Sequence, residues 1–218
     1  MTTPLFESMR PTTLSTVLGQ PSAVKRLAVL EKNSGFGGRA FLITGPSASG
    51  KTTLAKIIAS SVADDYATDE MDASGLTPKA IQDWERRVSG RTFGTKGGWA
   101  LIVNEIHGLR KDAIRQFLVT LERLPSYTVT VFTTTLQGQA VMFDDCIDAG
   151  PLTSRCIVIQ LESSVDKRAV DAIVTLKRKA TELGLDGKDV MAYLDLWKRE
   201  AGNWRACWNF IESGGMLA

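Results

Sequence analysis

The chain has 218 residues and a formal net charge of +2; hydrophobic residues make up 44% and charged residues 23%. This composition is ordinary for a soluble globular protein, and the near-neutral charge leaves nucleic-acid binding open because a basic face can exist within a balanced total. The chain has an odd number of cysteines, Cys146, Cys156 and Cys207, and no two of them form a C-x-x-C pair. This pattern argues against a disulfide framework or a zinc module and favours a reducing compartment.

No basic region followed by an apolar run comes after Met1, so no signal peptide is predicted. The longest apolar runs are far shorter than the ~20 residues that a membrane helix needs. We therefore expect a soluble protein that is not secreted and has no membrane partner. It would be cytoplasmic, or nuclear in a eukaryote.

Strand-like and helix-like segments alternate through most of the chain, which predicts an α/β fold with a parallel sheet flanked by helices. A helix is predicted over 54–62, and the spacing of Ile114, Phe117, Leu118 and Leu121 predicts one face of another. The predicted strands are residues 40–44, 99–103, 128–135 and 156–161.

Beyond Glu162 the pattern becomes helical. Ser163 and Ser164 are suited to cap a helix over 165–183, which Gly184 would end, and two further helices are predicted over 186–200 and 203–212. The chain is therefore divided into an α/β domain, residues 1–161, and a small α-helical lid domain, residues 162–218.

A glycine-rich segment between the first strand and its helix fits the pattern G-x-x-x-x-G-K-[ST]. Glycines let backbone N–H groups converge on a phosphate chain, Lys51 brings a positive charge, and the Thr52 hydroxyl can coordinate Mg²⁺. The motif predicts ATP and Mg²⁺ as cofactors. The residues expected to bind ATP here are Gly45, Pro46, Ser47, Ala48, Ser49, Gly50, Lys51, Thr52 and Thr53.

The strand over 99–103 ends in Asn104 and Glu105. P-loop ATPases usually place an acidic pair at the end of a strand that neighbours the P-loop strand. Glu105 stands where the water-activating carboxylate is expected, whereas Asn104 replaces the expected aspartate. Asn104 could hold Mg²⁺ only through a water, so we predict an active but weakened site. His107 is expected to be a structural hydrogen-bonding residue.

Several stretches together resemble clamp-loader AAA+ ATPases, namely the replication factor C small subunits and the bacterial polymerase III clamp-loader subunits. Arg10-Pro11 with the segment from Val17 to Gln20 resembles their "RP…GQ" signature, and Thr153-Ser154-Arg155-Cys156 matches their "SRC" motif. The other similar stretches are residues 71–75, 118–125, 133–135 and 202–209.

The resemblance implies the AAA+ P-loop NTPase fold with a helical lid and assigns roles to individual residues. Thr135 would read the γ-phosphate, Arg205 would reach the nucleotide from the lid, and Arg155 would be an arginine finger acting on a neighbouring subunit. An alternative for Arg155 is a local ion pair with Asp144 or Asp145. Together with Lys51, the implied catalytic residues are Asn104, Glu105 and Arg155, and the implied adenine-pocket residues are Arg10, Pro11, Val17, Gly19 and Gln20.

The resemblance also implies partners: a homo- or hetero-oligomer of AAA+ subunits, a sliding clamp, and primed or double-stranded DNA bound without sequence preference. It covers no C-terminal collar domain. Arg110, Lys111 and Arg115 are the candidate phosphate contacts. A solvated charged face is an equal alternative for these residues and for a second basic group, Arg86, Arg87, Arg91 and Lys96.

Three functions are compatible with the sequence. The first is a clamp-loader-type ATPase that acts in DNA replication or repair. The second, suggested by Asn104, is a subunit that binds ATP without hydrolysing it. The third is a small-molecule kinase, which the "SRC" motif and the lack of an evident arginine-rich acceptor lid disfavour.

Overall fold

The computed structural model describes residues 3–135 and 149–217. Its centre is a sheet of five parallel strands in the order β2-β3-β4-β1-β5. This arrangement confirms the α/β class with a parallel sheet. The strands are β1 (Arg39–Thr44), β2 (Ala63–Asp72), β3 (Gly98–Asn104), β4 (Thr128–Thr134) and β5 (Cys156–Gln160).

The helices begin and end close to the predicted bounds. Side chains of Thr77, Ser164, Asp189 and Asn203 accept hydrogen bonds from backbone N–H groups in the first turns of their helices, as good N-caps do. The helices are α1 (Leu5–Ser8), α2 (Pro21–Ser34), α3 (Lys51–Val62), α4 (Pro78–Arg87), α5 (Lys111–Glu122), α6 (Ala149–Ser154), α7 (Val165–Glu182), α8 (Val190–Arg199) and α9 (Trp204–Glu212).

Strand β2 is absent from the sequence prediction. Its ten residues, ADDYATDEMD, include five acidic side chains and lack the apolar alternation of a half-buried strand. It lies at the edge of the sheet, where one side of the strand faces solvent and charged side chains are tolerated.

The sheet order corrects one expectation about the site. The strand that ends in Asn104 does not neighbour the P-loop strand, because β4 lies between β3 and β1 and pairs with both. All seven residues of β4 are buried, so the sheet can accommodate it only in the interior. The end of β4 therefore separates the P-loop from the acidic end of β3.

Two apolar clusters cover the two faces of the sheet. One joins the sheet to α2 and α3 and includes Leu27, Phe41 and Leu54. The other joins it to α4 and α5, where Phe117 and Phe132 pack edge to face with centroids 5.1 Å apart. Helices on both faces explain why the central strands β3, β4 and β1 are almost entirely buried.

A third cluster builds the helical part from α7, α8 and α9. Leu5 of α1 belongs to this cluster, and its backbone N–H donates to Glu212 in α9 at 3.1 Å. The division after residue 161 stays a prediction, but α1 packs with the helices beyond it. Within the described ranges, no helix has the length and apolar character that crossing a membrane would require.

Helix α8 begins at Val190, later than the predicted residue 186. The Asp186 carboxylate accepts hydrogen bonds from Lys177, Thr181 and Tyr193, which hold the preceding loop away from helical geometry. Asp189 then caps the helix instead.

Cys156 and Cys207 are free thiols. Burial raises the pKa of each thiol to about 12, so both stay protonated near neutral pH. Cys146 lies outside the described residues.

Candidate active site

The P-loop connects β1 to the start of α3. Ala48 and Gly50 both have positive φ, 53° and 107°, and the turn they form leads directly into the helix N-terminus. Lys51 is only 6% exposed, and its Nζ donates to the carbonyls of Gly45 (3.0 Å) and Pro46 (2.8 Å). Burial lowers the pKa of Lys51, while the charge of Glu105 opposes that shift.

Ser49 supplies an independent sign that this loop suits a phosphate. Its Oγ is buried without a hydrogen-bond partner. A Cβ on Gly45 would lie 2.9 Å from that Oγ and 2.9 Å from the Leu161 Cβ, so only glycine allows the loop to close this tightly. An unpaired buried hydroxyl, a buried ammonium and a helix N-terminus form a set of donors that fits a nucleotide's phosphates. When bound, Mg²⁺ would neutralise phosphate charge and would be held by Thr52.

Gln20 links the P-loop to the segment just before α7. Its buried side chain donates to the carbonyls of Ser49 (3.2 Å) and Glu162 (3.4 Å), and it accepts from the Glu162 N–H at 2.7 Å. The other residues assigned to the adenine pocket lie on the same segment. Arg10 donates to Thr53 at 3.4 Å, Val17 packs on the cluster beside α3, and Pro11 is half-buried.

The ends of β3 and β4 form a hydrogen-bonded group around Glu105. Glu105 has a left-handed backbone, with φ of 53°. Its Oε2 accepts from the backbone N–H (3.3 Å) and hydroxyl (3.1 Å) of Thr135. The hydroxyl of Thr133 donates to Asn104 Oδ1 at 3.0 Å. The structure thus brings Asn104, Glu105 and Thr135 together at the ends of β3 and β4.

His107 joins the same group. Its Nδ1 lies 3.2 Å from the Thr134 hydroxyl and 3.4 Å from Glu105 Oε2. The expected structural role is consistent with the first contact, while the second places the imidazole beside the candidate catalytic carboxylate.

Sequence reasoning missed Glu70 and Lys56. Asn104 Nδ2 donates to Glu70 Oε1 at 2.8 Å, and Lys56 Nζ lies 3.2 Å from Glu70 Oε2. Glu70 could not be found because β2 was not recognised as a strand. The only available signal was that a carboxylate was missing at position 104.

Arg155 follows α6 and pairs within its own chain. It forms an ion pair with Glu122, and its Nη1 donates to the Pro151 carbonyl at 2.9 Å. The alternative partners Asp144 and Asp145 lie outside the described residues. The guanidinium stays one-third exposed, with a side-chain exposure of 34%.

Arg205 lies at the start of α9, and its guanidinium stacks on Phe6 of α1 at 5.2 Å from the ring centroid. A buried arginine of α7, Arg168, was not anticipated. Arg168 is 2% exposed and donates to the carbonyls of Ser164 (3.3 Å) and Gly202 (3.2 Å). Its side chain also packs against Gly19, where a Cβ would lie 3.1 Å from the Arg168 Cγ.

The basic residues proposed as phosphate contacts form two separate groups. Arg110 is the N-cap residue of α5, and both it and Lys111 are exposed. Arg115 lies one turn further along α5 and is also exposed. The second basic group is engaged locally: Arg86 pairs with Asp83, Arg87 with Asp69, Arg91 stacks on Tyr127, and Lys96 Nζ donates to the Ala63 carbonyl.

Solved structures share this fold. A mutant RuvB from Thermotoga maritima matches with a TM-score of 0.70 and 22% identity, over 94% of this chain and 65% of its own. A Thermotoga maritima structure described as the RuvB Holliday junction branch migration motor matches with a TM-score of 0.69 and 22% identity, over 94% and 64%. These matches support the fold alone.

Sequence comparison gives one curated relative, the "ATPase WRNIP1" of Dictyostelium discoideum. It is 29% identical over 190 residues, which are 86% of this chain and 20% of the relative. The chain thus spans about a fifth of that relative and under two thirds of the RuvB chains.

A family model matches more than half of the chain. It is the ATPase family associated with various cellular activities (AAA), and the match runs over residues 41–159, from β1 to β5. This range contains the P-loop, Asn104, Glu105 and Arg155. The chain therefore belongs to the AAA family of ATPases.

Proposed function

We propose that the protein is a clamp-loader-type AAA+ ATPase subunit that binds and hydrolyses ATP with Mg²⁺ inside an oligomer and loads a sliding clamp onto primed DNA. The observation that carries hydrolysis is the placement of Glu105. Its carboxylate is fixed by two hydrogen bonds from Thr135, at the end of a strand that faces the P-loop across β4. A fixed carboxylate at this position suits a general base for water.

The chemistry of the site divides among the chain's own residues. Lys51 and the P-loop amides would bind the phosphates, and Thr52 would hold Mg²⁺ directly. Glu105 would take the proton from the attacking water, while Thr135 keeps the carboxylate oriented. Arg155 would serve a neighbouring subunit, after exchanging Glu122 for a phosphate oxygen.

DNA binding is supported by one structural neighbour and by one surface. The Thermotoga maritima RuvB structure is described as a Holliday junction branch migration motor. Arg110 and Lys111 lie exposed at the N-terminus of α5, where backbone N–H groups add favourable dipoles for phosphate. Binding there would be independent of sequence and would weaken with salt. We place the protein in the cytoplasm, or in the nucleus of a eukaryote.

The test is ATP turnover by the purified protein, alone and in the complex it forms, with and without primed DNA and sliding clamp. We expect turnover that primed DNA and clamp stimulate. Glu105→Gln should reduce kcat by about 10²-fold or more while ATP still binds. If neither DNA nor a sliding clamp changes the ATP turnover of the reconstituted complex, clamp loading is refuted.

A non-hydrolysing subunit is the second candidate, and Asn104 favours it because the usual aspartate is missing. In this case the chain would bind ATP and offer Arg155 to its neighbour. Glu105→Gln would then leave the turnover of the whole complex unchanged, whereas Arg155→Ala would reduce it.

A further inference from the structure

Asn104 and Glu70 form a matched pair across the ends of β3 and β2. The hydroxyl of Thr133 donates to Asn104 Oδ1 at 3.0 Å, which fixes the oxygen side of the amide. The NH₂ group then faces Glu70 and donates to its Oε1 at 2.8 Å. An aspartate at position 104 would set two carboxylates side by side, and their repulsion would favour protonation of one of them. An asparagine at position 104 therefore fits beside Glu70, because it is uncharged and can donate a hydrogen bond to the carboxylate.

Glu70 lies on the face of the sheet that carries the P-loop helix. In the parallel register Glu70 is paired with Ile102, and paired residues point to the same side of a sheet. Ile102 packs in the cluster that contains Leu54 of α3. The ion pair from Lys56 of α3 to Glu70, at 3.2 Å, agrees with this placement.

Thr52, the residue expected to hold Mg²⁺, is one turn before Lys56 in α3. Residues four apart lie on the same side of a helix, so Thr52 and Lys56 face the same way. The Glu70 side chain is 36% exposed, so its carboxylate is accessible to water. Mg²⁺ keeps several of its waters in proteins, and carboxylates accept hydrogen bonds from them.

From this arrangement we propose that Glu70 supplies the negative charge that Asn104 lacks, and that it supports the Mg²⁺ of the bound nucleotide through water. The negative charge that an aspartate would bring to the end of β3 is carried instead by Glu70 on the neighbouring strand β2, so the metal site still has one carboxylate in this position. This inference rests on the proposed ATP-binding function. It makes Glu70 a positioning residue for the metal's water shell.

Lys56 competes with the waters of Mg²⁺ for the Glu70 carboxylate. The two side chains are 42% and 36% exposed, so their ion pair is weak and can be given up at little cost. Lys56→Gln should therefore leave the Mg²⁺ requirement unchanged or lower it.

The experiment measures binding of a fluorescent ATP analogue to the whole chain as Mg²⁺ is titrated, with a reference in EDTA. In wild type, Mg²⁺ should strengthen binding. In Glu70→Gln the Mg²⁺ concentration at half-effect should rise by about tenfold or more, as for other residues that support a metal through its ligands, while affinity in EDTA is kept. The matched control is Asp69→Asn, which removes the same charge from the preceding residue of β2, where Asp69 pairs with Arg87 instead.

Relocating the charge gives the sharper test. The double variant Glu70→Gln/Asn104→Asp should recover the Mg²⁺ midpoint to within about threefold of wild type, on the same scale of effects. Asn104→Asp alone should not improve it and should lower the melting temperature.

Two results would overturn the proposal: a wild-type Mg²⁺ midpoint in folded Glu70→Gln, or a double variant that behaves no better than Glu70→Gln. Failure of wild type to bind the analogue in both Mg²⁺ and EDTA would instead remove the proposed function itself, and this inference with it.

Discussion

At the scale of single residues, the site is organised around the Glu105 carboxylate. Its backbone occupies the left-handed region, which costs a non-glycine residue about 1 kcal/mol or more. Two hydrogen bonds from Thr135 hold the side chain in one place, and His107 Nδ1 lies 3.4 Å from its Oε2. Strain that surrounding contacts maintain is typical of residues whose orientation matters for function.

Thr135→Val tests this orientation. It removes the hydroxyl that donates to Glu105 at 3.1 Å, so the carboxylate should lose its fixed direction. We expect kcat to fall by about tenfold, with ATP affinity little changed, because a misplaced base impairs the chemical step alone. Thr135→Ser keeps the hydroxyl and should retain most of the activity. Equal turnover in both variants and wild type would contradict the role.

At the scale of secondary-structure elements, Gln20 is the main polar link between the segment before α2, the P-loop and the start of α7. Gln20→Ala would leave the Glu162 N–H and the Ser49 carbonyl without this partner in a buried site. We expect the free energy of unfolding to fall by ~1–3 kcal/mol, measured by urea denaturation.

Gln82→Ala is the matched control for Gln20→Ala. Gln82 makes an exposed hydrogen bond to Gln116, and its loss should have an effect within about 0.5 kcal/mol. A Gln20 variant as stable as this control would show that the buried link contributes little.

The loop between α7 and α8 carries a pH-dependent contact at Asp186. Hydrogen bonds from Lys177 and Thr181 lower the pKa of Asp186 to about 2. An unfolded aspartate has a pKa of ~3.9, so the unfolded chain binds more protons between these values. The stability from Asp186 is therefore complete above pH ~4 and is lost as the pH falls towards 2.

Asp186→Asn should accordingly reduce the free energy of unfolding at pH 7 and flatten its fall between pH ~4 and pH ~2, in urea unfolding followed by circular dichroism. Asp195→Asn, an exposed position of α8, is the control and should keep the wild-type slope. An unchanged acid slope in the Asp186 variant would contradict the linkage.

At the scale of the whole molecule, Arg155 connects one chain to the next in the proposed oligomer. In this structure its guanidinium pairs with Glu122, so the role in trans requires that the ion pair opens. Since the side chain is partly exposed, the pair is weak enough to be exchanged for a phosphate.

A mixing experiment tests action between subunits. Lys51→Ala should prevent productive ATP binding, and Arg155→Ala should lower turnover by about 10³-fold, as the loss of a finger does in related enzymes. If the chain assembles with itself, mixing the two inactive variants should restore measurable ATPase activity, because each provides what the other lacks. Glu122→Gln is the control and should stay active. Mixtures that remain inactive, although they co-assemble, would exclude the role in trans.

The sequence alone determined the parts whose signals are local. The P-loop is specified by glycines and a lysine at fixed spacing, strands β1 and β3 by short apolar runs, and β4 by its Val, Phe and Thr residues, because these patterns follow directly from backbone geometry and burial. Caps such as Ser164 and Asn203 likewise set helix starts within a residue or two of the predicted bounds.

Tertiary structure alone decided the order of the strands and the partners that follow from it. Nothing local in the chain says that β4 separates β1 from β3, or that the acidic segment Ala63–Asp72 pairs at the edge of the sheet. An edge strand can carry charged side chains, so it lacks the apolar pattern by which interior strands are recognised in a sequence. For this reason the sequence showed that Asn104 lacks a charge, while only the folded sheet placed Glu70, 34 residues away in the chain, against its amide.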